Sequence, residues 1–214
     1  MEIFYQDEHL IVVYKPYGVL SEAHESKPNL PALLGEEIGA RAYPVHRLDR
    51  TTQGLMVYAK TEEAARRLSA MLQNGGIEKT DLAVIEGKPA EKEGKLTDLL
   101  FFDRRKNKSF VVKRERNGIK RAELDYTVLS TGEIDGNAVS LVKIRLLTGR
   151  THQIRVQFAS RKMPLVGDRR YGSRISDDEI ALCSAELSFK HPFTGEALAF
   201  RYEPKQEIFR SLMG

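Results

Sequence analysis

With 214 residues, 41% of them hydrophobic, the chain can bury a substantial core and suits one domain or two closely joined halves, which excludes a disordered chain. No run approaches the roughly 20 apolar residues of a membrane span, and the opening MEIFYQDEHL has no basic stretch followed by an apolar one, so a soluble cytoplasmic protein is expected. Cys183 is the single cysteine, which excludes an internal disulfide and a cysteine-rich metal site; no His, Asp or Glu pair falls at a zinc spacing, so no metal is expected.

In chain order, EIFYQDEHLIVVYKP carries two strand-like runs around a Gln6-Asp7-Glu8 turn, closed by Lys15-Pro16-Tyr17-Gly18. NLPALLGEEI predicts a short helix, and GLMVYAK, residues 54–60, a strand of buried type. The next helix is TEEAARRLSAMLQNGG, capped by Thr61, with Glu62 and Glu63 in its first turn, an apolar face of Leu68, Met71 and Leu72, and an end at Gly75-Gly76. Strands are predicted at 82–86, 96–102, 109–113, 122–130 and 138–146, the last pair joined by TGEIDGN. THQIRVQFASRK reads as a helix with Ile154 and Phe158 on one side, ELSFKHPFTGEALAF as a hairpin, and KQEIFRSLMG as a final helix. Many strands, tight turns and few helices imply an α+β fold around a mixed, mostly antiparallel sheet.

Charge is concentrated. Residues 103–121, DRRKNKSFVVKRERNGIKR, hold nine Lys/Arg against two acids, a net +7 in a chain of +4, so the remainder carries a net −3. Such a segment, with Phe110 inside it, can track a phosphate backbone or be a solvated hairpin, and composition leaves both open.

Two stretches are dense in polar groups. HRLDRTTQGL, residues 46–55, puts Asp49 between Arg47 and Arg50; LLTGRTHQIRVQF, residues 146–158, delivers Arg150, His152, Gln153 and Arg155. On a helix, Thr151 and His152 would share a face with Arg155, and that face could reach a carboxylate such as Asp49. The residues alone favour a structural ion pair over catalysis, since any Asp can find any Arg. No glycine-rich phosphate loop and no serine nucleophile elbow is present, and a hydrolase built on Asp49 lacks a matched second acid.

PVHRLDRTTQGLMVYAKT resembles the signature of the RluA family of pseudouridine synthases, H-R-L-D-x-x-T-S-G followed by a buried strand. DEHLIVVYKPYGVL, TGRTHQIRVQF, PLVGDRRYG and ALCSAELSFKHPFTGE resemble further blocks of that family, in its order and over nearly the whole chain. The resemblance implies a single catalytic domain over residues 1–214, with no separate N-terminal RNA-binding domain and a bent sheet flanked by helices. It implies isomerisation of a uridine within RNA, ribosomal or transfer, to pseudouridine without cofactor, and a monomer is expected. By motif, Asp49 is the catalytic aspartate and Arg155 the basic residue that pairs with it and keeps it ionised. Arg47 is the arginine that helps hold RNA with its target nucleotide flipped out. His46, which is more often a positioned structural histidine, with Arg50, Arg150, Lys113 and Arg114 completes the expected RNA-contact set, the last two from the basic segment where the family has a hairpin facing RNA.

Three positions depart from the pattern. Gln53 stands for the usual serine and Gln157 for a histidine, both polar exchanges. In IEKTDLAVIEG, Asp81 occupies the place of the tyrosine that stacks on the target uracil and is implicated in proton transfer at C5. Loss of that ring implies weak or absent activity. Three readings of Asp81 stay open: a substitution made to inactivate, a natural RNA-binding or RNA-folding protein on an inactive synthase scaffold, or a working enzyme that uses Asp81 as the base at C5.

Overall fold

The structure, a computed structural model, describes residues 1–214. The elements in order are β1 (Ile3–Gln6), β2 (Leu10–Lys15), α1 (Leu30–Ile38), β3 (Tyr43–Pro44), β4 (Gln53–Ala59), α2 (Glu62–Gln73), β5 (Ile77–Glu86), β6 (Glu93–Asp103), β7 (Lys108–Val112), β8 (Ile119–Ile134), β9 (Asn137–Leu146), α3 (Gln153–Ala159), β10 (Leu182–Lys190), β11 (Ala197–Arg201) and α4 (Glu207–Met213). The strands form an open, mixed and mostly antiparallel sheet with few helices, the α+β class expected. The chain divides into two compact units, residues 1–79 with 183–203 and residues 80–182 with 204–214.

In the first unit the strand order is β1-β2-β4-β10-β11, with β3 also on β4. β2 and β4 run antiparallel from Leu10 opposite Ala59 to Lys15 opposite Gly54, and β4 and β10 make a parallel pair at Gln53–Cys183 and Gly54–Ser184. Alternation explains the core: Ile11 and Val13 share a face with Met56 and Tyr58, and Leu30 and Leu34 of α1, Ala42 and Leu48 pack onto it. Asn29 caps α1 through its side-chain oxygen on the Ala32 amide, and Thr61 caps α2 on the Ala64 amide. Of the apolar face expected on α2, Leu68 is buried with Ala64, whereas Met71 and Leu72 are half-buried.

In the second unit β5-β9-β8-β6-β7 is antiparallel throughout. The expected TGEIDGN connection contracts to Asp135-Gly136, both at positive φ (47° and 75°), and β8 runs on through Ile134. Asp-Gly suits a two-residue hairpin turn, which lets the flanking residues keep their ladder bonds. α4 lies on β8 and β9, where Ser130 Oγ donates to the Leu212 carbonyl at 2.5 Å.

The helix expected from Thr151 to Lys162 is shorter, Gln153–Ala159. His152 has a left-handed backbone (φ 55°), so Thr151 and His152 do not share a helical face with Arg155. Tertiary bonds win over helix extension: Gln153 Oε1 accepts from the Arg150 amide at 3.0 Å and from Thr148 Oγ1 at 2.8 Å, while its Nε2 donates to the Glu123 carbonyl at 3.0 Å. Those bonds hold residues 148–153 as a turn on β8.

The β4–β10 approach tolerates no side chain at Gly54, where φ is +122° and a β-carbon would fall on the Ser184 carbonyl oxygen and 2.6 Å from its nitrogen. Gly54→Ala is therefore expected to lower stability by more than about 2 kcal/mol in urea unfolding. Gly149→Ala, with nothing within 4 Å, should shift the same midpoint by less than about 0.5 kcal/mol.

Candidate active site

Asp49 sits in a loop whose backbone is held on both sides. Before it, Ser21 Oγ donates to the Leu48 carbonyl at 2.9 Å and accepts from the Leu48 amide at 3.3 Å, and Tyr58 Oη donates to the Ser21 carbonyl at 2.8 Å. After it, the Gly18 amide donates to the Arg50 carbonyl at 2.8 Å, and the Thr52 amide closes a turn on the Asp49 carbonyl at 2.9 Å. The Leu48 side chain is buried in the core, so the aspartate next to it is carried on fixed backbone, half-buried.

Lys15, at the end of β2, completes the support. It has no exposed surface, and its ammonium donates to the carbonyls of Val19 (2.7 Å) and Pro16 (3.0 Å) and lies 3.5 Å from that of Arg50. Burial pushes its pKa down to about 8; the Asp49 charge acts in the opposite sense and Arg50 adds to the lowering.

The remaining candidates of this loop differ in placement. Arg47 and Arg50 are exposed, and Arg47 Nη1 lies 3.4 Å from Glu22, an ion pair in water of small energetic weight. His46 is buried, 8% exposed, with Nε2 accepting from the Val57 amide at 3.3 Å. Burial, with Lys79 adding to it, drives its pKa well below the usual range, so the ring is neutral and holds β4 rather than presenting charge.

Arg155 opens α3 in the second unit and is 3% exposed. Asp168, 1% exposed, takes its Nε at 2.6 Å and Nη2 at 2.8 Å, a bidentate pair, and the Tyr171 ring centre lies 5.0 Å from the guanidinium carbon. The sequence assigns no role to Asp168 or Tyr171 within PLVGDRRYG; an aspartate beside two arginines gives no sign that its partner is a third, 13 residues upstream. Asp81 lies on β5 opposite Ile144, 3% exposed. Arg150 is half-buried with Nε on the Arg121 carbonyl at 3.0 Å, while Lys113 and Arg114 are exposed in the loop between β7 and β8. No group of three or more His, Cys, Asp or Glu side chains is placed to hold a metal ion.

The profile of the RNA pseudouridylate synthase family matches residues 9–160. The chain is 31% identical to a tRNA pseudouridine synthase C of Vibrio parahaemolyticus, over 94% of this chain and 89% of that one. It is 33% identical to a ribosomal large subunit pseudouridine synthase D of Zymomonas mobilis, over 100% of this chain and 73% of that one. Among solved structures, human RNA pseudouridylate synthase domain containing 1 superposes with a TM-score of 0.80 at 24% identity, over 95% of this chain and 83% of that one, a likeness of fold.

Two predictions follow the geometry. Asp168→Asn removes the carboxylate that takes both the Nε and Nη2 bonds of the buried Arg155 guanidinium and is expected to cost about 3–5 kcal/mol in urea unfolding. For Lys15, the folded pKa near 8 lies below the unfolded 10.5, so the unfolded chain holds more protons between those values. The burden on stability is full below about pH 8 and fades as pH rises toward 10.5. Unfolding midpoints of the unaltered chain relative to Lys15→Met should therefore climb across that window; a flat difference contradicts the assignment.

Proposed function

The chain belongs to the RNA pseudouridylate synthase family and is an RNA pseudouridine synthase, and we propose that its Asp49 carboxylate starts the isomerisation of a specific uridine in a structured RNA. The observation that carries this reading is the two-sided backbone support of Asp49 by Ser21 on one flank and Gly18 and Lys15 on the other. A carboxylate that must meet the sugar at one atom gains rate from being held in place, because the cost of orienting it is met on folding.

In the proposed reaction the bond from ribose to N1 breaks, the detached uracil turns, and C5 bonds to C1′; C5 gives up its proton and N1 takes one up, so the product is an isomer of the substrate. Asp49 acts as an anion, either adding to C1′ or taking a proton from C2′. Arg155 is its basic partner, favouring the ionised form against desolvation. The bidentate bond to Asp168 and the Tyr171 ring support that role, since they fix the guanidinium in one orientation. Arg47 faces solvent, and its weak link to Glu22 is readily exchanged for RNA phosphate or for the stack a flipped nucleotide leaves. Arg50, Arg150, Lys113 and Arg114 supply further RNA contact, while His46 acts from beneath by holding the loop. The relatives named above act on transfer RNA and on the large ribosomal subunit, and either class is proposed for this chain, acting as a monomer without a cofactor.

Asp81 tempers the rate. A carboxylate has no face on which to stack uracil, a contact worth about 1–3 kcal/mol per base. A second reading rests on the same observation: with Asp81 buried where the ring is expected, the chain serves RNA binding or folding on an inactive scaffold.

Uridine conversion in unmodified transfer and ribosomal RNA separates these readings. Asp49→Ala is expected to abolish conversion, and Asp81→Tyr to raise the rate at least about fivefold, the lower end of the stacking energy. Inactivity of both the unaltered chain and Asp81→Tyr, with salt-dependent RNA binding retained in Asp49→Ala, would move the assignment to the binding protein.

A further inference from the structure

A single-turn 3-10 helix, Arg169–Tyr171, follows Asp168 and is bonded in two directions. Toward α3, Asp168 grips the Nε and Nη2 edge of Arg155, and the Tyr171 ring lies 5.0 Å from the guanidinium carbon. Toward the tip of the β6–β7 hairpin, Arg170 Nη1 donates to the Lys106 carbonyl at 2.9 Å, and Lys108 Nζ donates to the Arg170 carbonyl at 2.7 Å. The Ser109 amide donates to the Tyr171 hydroxyl at 2.8 Å. Tyr171 thus belongs to both sets, its ring on Arg155 and its hydroxyl on β7. The residues leading into α3 are joined to the same strand, because Ser109 Oγ donates to the Thr151 carbonyl at 2.5 Å and His152 Nδ1 lies 3.0 Å from the Tyr171 hydroxyl.

The hairpin tip is strongly cationic. Arg104, Arg105 and Lys106 are exposed there, and the nearest acid, Asp103, spends Oδ1 on the amides of Arg105 (2.9 Å) and Lys106 (3.1 Å), which shapes the turn. β7 closes one end of the strand order in its unit, with a single strand neighbour. A two-stranded ribbon end of this kind is mobile unless something braces it. Here the brace is the turn that also holds Arg155.

We propose that Arg170 and Tyr171 are positioning residues that tie the RNA-binding tip of the β6–β7 hairpin to the guanidinium of Arg155, so that phosphates docked at Arg104 and Arg105 set the placement of the catalytic cation. This rests on the reading that the hairpin contacts RNA and that Arg155 serves the reaction. A displaced tip draws on the Arg170–Lys106 and Tyr171–Ser109 bonds, and through the same turn on Asp168 and Arg155. Binding energy from RNA remote from the target nucleotide is in this way converted into orientation at the reacting group. Only an RNA long enough to reach the tip therefore alters the setting of the turn through which Asp168 and Tyr171 orient Arg155.

The test is the Arg155 Nε–H resonance, assigned by its loss in Arg155→Lys and followed while a short unmodified RNA stem–loop with loop uridines is added. Tyr171→Phe removes the hydroxyl bonds and keeps the ring over Arg155; Arg170→Met alters an exposed side chain and removes only its bonds to the Lys106 and Asn107 carbonyls of the tip. The unaltered chain should show an RNA-induced shift that is lost in both variants, although each still binds the stem–loop with unchanged salt dependence. The double variant Arg104→Gln, Arg105→Gln should lose the shift and also flatten the slope of log affinity against log salt by about one to two. A shift that persists in Tyr171→Phe and Arg170→Met, or its absence in the unaltered chain when RNA is bound, overturns the coupling and leaves the RNA reading standing. Absence of salt-dependent RNA binding by the unaltered chain overturns both. Should Tyr171→Phe fail to fold, Arg170→Met decides alone.

Discussion

The backbone around Asp49 is held by groups that are themselves buried, and the rest of the first unit is arranged to supply them. Tyr58 of β4 fixes Ser21, Ser21 fixes Leu48, and Leu48 inserts among Ile11, Val13 and Met56. On the other flank Lys15 places its ammonium among three carbonyls, an arrangement that offsets part of the desolvation cost through charge-assisted bonds. Removing any member of such a chain leaves a buried acceptor without its donor, so position here is defended by the energetics of burial rather than by loop rigidity as such.

A similar economy operates around Arg155. A buried guanidinium with a bidentate carboxylate gains little net stability over an apolar pair, because desolvation of both charges offsets their attraction. Its value lies in orientation: two parallel bonds from Asp168 fix the plane of the group, and the Tyr171 ring limits its remaining freedom. The same turn also reaches the basic hairpin, through Arg170 on the Lys106 carbonyl and Lys108 on the Arg170 carbonyl.

Much of this was legible in the sequence. β2, β4 and the capped start of α2 follow from alternation, a continuous apolar run and a Thr-Glu-Glu opening, all local signals that the packing reinforces. The single acid in HRLDRTTQGL and its resemblance to a known signature single out Asp49 as a candidate, but do not show what holds its backbone, since Ser21 and Lys15 lie 28 and 34 residues upstream. The start of α3 was misjudged because Gln153 turns its side chain back onto Arg150, Thr148 and Glu123, a competition that helix periodicity does not contain. Asp168 and Tyr171 escaped for the same reason: their partners are set by tertiary structure. His46, grouped by proximity in sequence with the exposed arginines, lies under the loop, because β3 and β4 pair just beside it and its ring meets the Val57 amide.

The chemical role proposed for Asp49 depends on its negative charge. The most direct measurement is single-turnover uridine conversion by Asp49→Asn in an Asp81→Tyr background, with RNA affinity determined alongside. Asparagine keeps the shape and the backbone support but carries no negative charge, so conversion is expected to be lost with RNA binding retained. Conversion at the rate of the Asp81→Tyr chain would contradict it.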